Sequence, residues 1–205
     1  KEPVSLEYPL LREGVALFTY LHLAANPALT KVLIEKNVTG LAYETLEKNG
    51  KLPLLAPMSE IAGRMAPLMG AYYLQKFKGG SGVLPAGASG VKAGKAVILG
   101  AGVVGTNAGR VSSGLGMDVT IMNPGTERLQ RIDELFMGKV KTLPLTRHTI
   151  EEEIRDADIS DVGSSTRFSK TVKKELFYLA VAIGKDAGRK SQWTPASGRT
   201  ACAMW

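Results

Sequence analysis

Gly100, Gly102 and Gly105 stand as Gly-x-Gly-x-x-Gly, directly after the apolar run Ala96–Leu99 and directly before a stretch that reads as helix to about Leu115. Gly100 permits a tight turn, Gly102 lets a pyrophosphate come up to the backbone, and Gly105 lets the helix pack close on the strand. Free N–H groups at the helix start, with the helix dipole behind them, would hold the phosphates of a dinucleotide. A plain structural turn is the alternative reading. At the end of the next strand, where such sites place an acidic residue against the ribose, stands Asn123. A carboxamide accepts through one oxygen and carries no charge, which predicts weaker ribose binding and less discrimination against a 2′-phosphate. Arg128 lies a few residues on, as a phosphate contact or as a solvated helix charge.

His22 closes the apolar run Phe18–Leu21. It reads either as a satisfied core histidine or, because strand ends in parallel α/β units face the ligand crevice, as a group at a binding site. The other histidine, His148, starts a helix and reads as surface. Neither has a His, Cys or carboxylate partner at metal spacing, so no metal site is expected. The one cysteine, Cys202, can form no internal disulfide, as suits a reducing cytosol, and reads as an inert thiol.

These residues need elements to hold them. Val15–Leu21 and Val38–Thr45 read as strands around a helix entered after Pro27, a parallel α/β unit. From Met58 to Lys78 the spacing of Ile61, Met65, Leu68, Met69 and Tyr72 predicts a helix, with Ser59 as its N-cap, Glu60 at its positive end, a kink at Pro67, and the apolar stripe in core or interface packing. The glycine-rich stretch Gly79–Gly90 reads as a loop too flexible for either core. Strands then follow at Ala96–Leu99, Asp118–Met122 and Lys139–Leu143. Helices alternate with them: one after Gly105, one from Thr126 with Leu129, Ile132, Leu135 and Phe136 on one face and Gly138 at its end, and one over Thr149–Asp158. This order predicts an α/β fold, a Rossmann-type doubly wound parallel sheet plus part of a second α/β substrate lobe. The expected organisation is a partial substrate lobe over 1–57, an interlobe helix over 58–78, the first half of a dinucleotide-binding lobe over 79–160, and an unassigned basic tail over 161–205. In that tail only Lys170–Ile183 reads as a helix.

The 205 residues, 44% hydrophobic and 22% charged, have a globular composition that excludes collagen-like, disordered and disulfide-scaffold classes. The net charge of +7 could signal a polyanionic partner. Eight basic and three acidic residues after Ser160 place most of that excess in the tail. With no aromatic–basic interleaving and no recognition motif, no nucleic-acid partner is expected. No run approaches the roughly 20 apolar residues of a bilayer span, and Lys1-Glu2-Pro3 opens without an apolar region. A cytoplasmic protein with no membrane partner is the expectation.

Five segments carry a family resemblance over residues 1 to about 159: Lys1–Pro3, Leu17–Ala25, Gly40–Thr45, Leu52–Arg64 and Val97–Asn107. They resemble the family of L-alanine dehydrogenase and the NAD-binding subunit of proton-translocating transhydrogenase. The strings Tyr20-Leu-His-Leu-Ala24 and Pro57-Met-Ser-Glu-Ile-Ala-Gly-Arg64 favour the alanine dehydrogenase branch. The resemblance implies NAD as cofactor, and reversible oxidative deamination of L-alanine to pyruvate and ammonia with hydride transfer to the nicotinamide. It implies that Lys1 holds and polarises pyruvate, that His22 exchanges the proton at the substrate oxygen, and that Ser59 lies beside the cofactor phosphates. It also implies a homo-oligomer, a hexamer. An imidazole with an ordinary pKa of about 6.5 suits such a relay.

Three departures stand out. The family's arginine for the substrate carboxylate precedes the Lys-Glu-Pro string, Asn123 replaces an aspartate, and the apolar strand and catalytic aspartate that follow Ala157-Asp158-Ile159 in the family find no match in residues 160–205. An incomplete family member is expected, either an enzyme or a non-catalytic polypeptide that binds a dinucleotide or packs in an oligomer.

Overall fold

The computed structural model describes residues 2–162. They form two compact units that divide between Met58 and Ser59.

The first unit is built on a parallel pair, β1 (Ala16–Thr19) and β2 (Thr39–Ala42), joined through α1 (Pro27–Glu35). α1 starts where its sequence dictates. The Asn26 side chain accepts the Leu29 N–H at 3.1 Å, and Pro27 fills the first helical position, where no N–H is needed. Leu29 and Leu33 on the inner face of α1 pack with Leu21 against Tyr8, Leu11, Leu17, Val38 and Ala42. The Lys36 ammonium donates to the carbonyls of Tyr8 and Leu11 at 2.9 and 2.8 Å, tying down the 3₁₀ segment Ser5–Leu10. Both strands are shorter than the apolar runs predict. β1 stops at Thr19, and β2 gives way to a 3₁₀ turn over Tyr43–Thr45.

The second unit carries a four-stranded, wholly parallel sheet in the order β5 (Lys141–Pro144), β4 (Asp118–Asn123), β3 (Lys95–Leu99), β6 (Ile159–Val162). α3 (Val103–Gly114), α4 (Thr126–Phe136) and α5 (Arg147–Ile154) alternate with the strands. Val97, Ile98 and Leu99 of β3 are almost wholly buried, as a central parallel strand covered on both faces requires. The expected doubly wound sheet is present, and β6, which crosses the expected end of the lobe at 160, is its fourth strand. Ile159 to Val162 pairs with β3 from Ala96 to Leu99; the run includes Asp161, so it lacks the unbroken apolar signature of β3. α5 begins at Arg147, earlier than expected, because Thr146 and Thr149 form a capping box. In α4, Leu129, Ile132 and Phe136 are buried while Leu135 is exposed.

The long helix α2 (Ala56–Tyr73) differs most from expectation. It starts three residues before Ser59, because Pro57 is tolerated in a first turn whose N–H groups have no partner anyway. Ser59 is therefore inside the helix and is not its N-cap. The stripe Ile61, Met65, Leu68, Met69 and Tyr72 is exposed rather than core. The inward face is made of Gly63, Pro67 and Gly70, because α2 runs so close to its neighbours that only small residues fit. A Cβ at Gly63 would stand 2.3 Å from the Val104 carbonyl oxygen, and one at Gly70 would stand 2.8 Å from Ile159. The glycine-rich stretch after α2 is also partly packed: Gly80 is buried, and its Cβ position lies 2.1 Å from the Tyr73 carbonyl oxygen.

Candidate functional site

In the second unit the strand order reverses direction between β3 and β6, and the Gly100–Gly105 turn leaves β3 at that switch point, on the carboxyl edge of the sheet. Ligands of open α/β sheets bind there. Gly100 has φ +111°, a conformation L side chains rarely adopt. Its N–H donates to the Met122 carbonyl at 2.7 Å, and the next N–H, of Ala101, donates to the Asn123 side-chain oxygen at 3.2 Å. Two successive anchors thus fasten the turn to β4. Gly102 precedes α3 with no side chain to cap it, which leaves the first N–H groups of the helix for a ligand. A Cβ at Gly102 would meet nothing within 4 Å, so a cradle that a side chain would fill lies open at the helix start. At Gly105 the reason for glycine is different, since a Cβ would stand 1.8 Å from the Gly100 carbonyl oxygen. These features fit a dinucleotide pyrophosphate.

Asn123 is buried at the end of β4, 6% exposed. Its Oδ1 takes the Ala101 N–H, and its Nδ2 donates to the Gly125 carbonyl at 3.0 Å. Both partners are backbone groups of fixed polarity, so the orientation of the carboxamide is determined. It clamps the glycine turn to the loop that enters α4. Arg128 sits exposed in the first turn of α4, beside the acidic Glu127. Ser59 is half-buried on α2, one turn before Gly63 on the same helix face. On the next turn, Arg64 donates to Asn107 of α3 at 3.1 Å.

In the first unit the ends of β1 and β2 lie side by side, and His22 follows β1. His22 is half-buried and left-handed, φ +46° and ψ +40°, a conformation that costs a non-glycine residue about 1–2 kcal/mol. Its ring stacks on Tyr20 with centroids 5.9 Å apart and planes 15° apart. The Tyr20 hydroxyl is itself anchored on the Leu54 carbonyl at 2.6 Å. Tyr43 packs edge-on against both Tyr20 and Phe18. Lys1 lies outside the described residues.

Spacing alone does not point to Glu44. It follows β2 as His22 follows β1, and its carboxylate accepts the N–H groups of Leu21 (3.1 Å) and His22 (2.7 Å). Burial pushes the Glu44 carboxyl up, but hydrogen bonding from the N–H groups of His22, of Glu44 itself and of Leu21 outweighs it, holding the group below its ordinary range. The signal available in the sequence was an acidic residue at the end of the strand that neighbours the histidine's. Among the described residues no group of His, Cys, Asp and Glu could hold a metal ion, and no helix is long and apolar enough to cross a membrane.

Comparison with known proteins accords with this geometry. The model for the alanine dehydrogenase/PNT N-terminal domain matches residues 1–62, and that for the C-terminal domain of the same family matches residues 66–164. The chain is 53% identical over 165 residues to an alanine dehydrogenase of Bilophila wadsworthia, covering 80% of this chain and 44% of the relative. It is 50% identical over 159 residues to that of Bacillus subtilis, covering 78% and 42%. A solved L-alanine dehydrogenase superposes with a TM-score of 0.72 at 47% identity, over 78% of this chain and 44% of the other. A transhydrogenase from Sinorhizobium meliloti, at 22% identity and a TM-score of 0.63, shares the fold. The chain thus spans less than half the length of the curated relatives it matches.

Proposed function

The chain belongs to the alanine dehydrogenase/PNT family, and from that premise we propose that it takes part in the NAD-dependent, reversible oxidative deamination of L-alanine to pyruvate and ammonia. The observation that carries this reading is the open cradle at Gly102, at the switch point of the sheet and anchored to β4 through Gly100 and Ala101.

In this reading the uncapped N–H groups of α3 hold the pyrophosphate, Asn123 meets the ribose through its remaining lone pair, and Arg128 and Ser59 contribute at the phosphates. Nicotinamide, when bound, supplies the hydride acceptor for the alanine α-carbon. His22 takes the proton from the oxygen that water adds at that carbon, and returns it in the direction of pyruvate reduction. The Tyr20 ring fixes one face of the imidazole, which leaves the other for substrate. Lys1 holds and polarises the pyruvate carbonyl.

The test is NADH formation, followed by absorbance, from NAD and L-alanine at alkaline pH, with NAD binding measured by calorimetry on the same sample. Turnover that His22→Ala abolishes is expected. Full activity in His22→Ala refutes the relay. NAD binding without turnover selects the second reading, a non-catalytic dinucleotide-binding polypeptide. The exposed row Ile61, Met65, Leu68, Met69 and Tyr72 supports self-association, since an apolar face of this kind marks an interaction site.

A further inference from the structure

Building on the reading of His22 as the proton relay, we propose that Glu44 is its positioning residue: from the end of the neighbouring strand it grips the backbone of the turn that presents the imidazole. The relay would then need two strand ends.

His22 has a left-handed backbone just past the end of β1, and such a conformation persists in a non-glycine residue only where its surroundings over-determine it. The Glu44 carboxylate provides the constraint. It accepts two consecutive N–H groups, Leu21 to both oxygens at 3.1 and 3.2 Å and His22 to one at 2.7 Å. The bond from the His22 N–H, at 2.7 Å, has the length of the strong charge-assisted class. Leu21 is itself buried in the core of the unit, so the turn is fixed on its core side by packing and on its open side by Glu44. The Tyr20 ring, anchored through its hydroxyl, limits the rotation of the imidazole. Without Glu44 the two N–H groups lose their acceptor and the backbone relaxes toward an ordinary conformation, carrying the ring off the orientation that proton transfer requires.

The experiment compares the intact chain with Glu44→Ala and Glu44→Gln, reading kcat and KM for pyruvate reduction by NADH in ammonium buffer and the imidazole nitrogen resonances by NMR. The chain has two histidines, so His22→Gln assigns the signals and His148 is the internal reference. In Glu44→Ala, kcat should fall by about tenfold or more with KM for NADH changed by less than about twofold, the pattern of a lost transition-state interaction. The His22 resonances should shift or broaden while those of His148 hold. Glu44→Gln, whose amide oxygen can accept both N–H groups, should recover kcat to within about threefold. Unchanged kcat and unchanged His22 resonances in Glu44→Ala, or a loss as deep in Glu44→Gln, would overturn the proposal. If Glu44→Ala does not fold, the wild-type chain decides: the Leu21 and His22 amide protons should move together as the Glu44 carboxyl is protonated in acid, and their failure to move overturns the assignment. A chain that turns over nothing defeats the proposed reaction, whereas the amide and imidazole signals still report on Glu44.

Discussion

Gly102 and Gly105 belong to one motif, yet the structure separates what each does, and alanine substitutions expose the difference. At Gly105 the added Cβ would sit 1.8 Å from the Gly100 carbonyl oxygen and 3.2 Å from Ile98 Cγ2. Contacts under about 3 Å do not occur, so α3 must retreat from β3 by about 1 Å against a backbone atom that no rotamer change can move. Overpacking costs about 1–3 kcal/mol, and a rigid backbone obstacle belongs at the top of that range. The better helix propensity of alanine offsets up to about 1 kcal/mol. The net loss is about 2 kcal/mol, which in a unit of roughly 150 residues lowers Tm by about 4–8 °C. Gly102 has φ −86°, which any residue adopts, and its Cβ position is empty. Gly102→Ala should leave Tm unchanged or slightly raised through the unfolded chain. Its methyl would fill the cradle proposed for the pyrophosphate, however, and should weaken NAD by about tenfold or more, about 1.4 kcal/mol. Circular dichroism melting and NAD calorimetry on both variants provide the assay. Melting of Gly105→Ala within 2 °C of wild type would mean that the close approach at Gly105 is not what holds α3, and undiminished NAD affinity in Gly102→Ala that no phosphate lies in the cradle.

Two further substitutions bear on charge. Asn123→Asp replaces Nδ2, 3.0 Å from the Gly125 carbonyl, with a second acceptor, so the free protein should lose about 1–2 kcal/mol. With the proposed ribose contact, the carboxylate should tighten NAD and raise its preference over NADP. An unaltered NAD-to-NADP affinity ratio counts against the ribose contact. Glu153 is buried under the sheet, accepting from Lys141 and Thr120 and paired with Lys95 at 2.7 Å, so that it links α5 to β3, β4 and β5. Burial pushes its carboxyl up, but the bonds from Lys141 and Lys95 prevail and hold it below its ordinary range. A depressed folded pKa gives stability that is complete above the unfolded value near 4.5 and is lost as pH falls through the folded one. Glu153→Gln should therefore lower Tm at pH 7 and reduce the acid sensitivity of melting below pH 4.5, with parallel Tm–pH curves as the contrary result.

The dinucleotide unit was largely legible in the sequence, because parallel strands buried on both faces read as apolar runs and because each motif glycine answers a local backbone demand. Ala96–Leu99, the Gly100–Gly105 turn and Asp118–Asn123 lie within a few residues of their expected bounds. β6 escaped because a partner strand, not its own composition, makes Ile159–Val162 a strand. For α2, exposure of the stripe leaves interface packing, not core, of the two expected alternatives. Helical spacing identified the apolar stripe, but burial follows the closest approach, and the approach at Val104 and Ile159 admits Gly63 and Gly70 rather than Met65 or Leu68.

The candidate site divides in the same way. His22 and the three glycines were visible as residue types at informative positions, since turn chemistry and strand ends are local properties of the chain. That Asn123 is a two-sided backbone clamp, and that Glu44 grips the turn of His22 from 22 residues away, depended on tertiary structure. Hydrogen bonds between chain segments far apart in sequence exist only once β1 lies beside β2 and β3 beside β4.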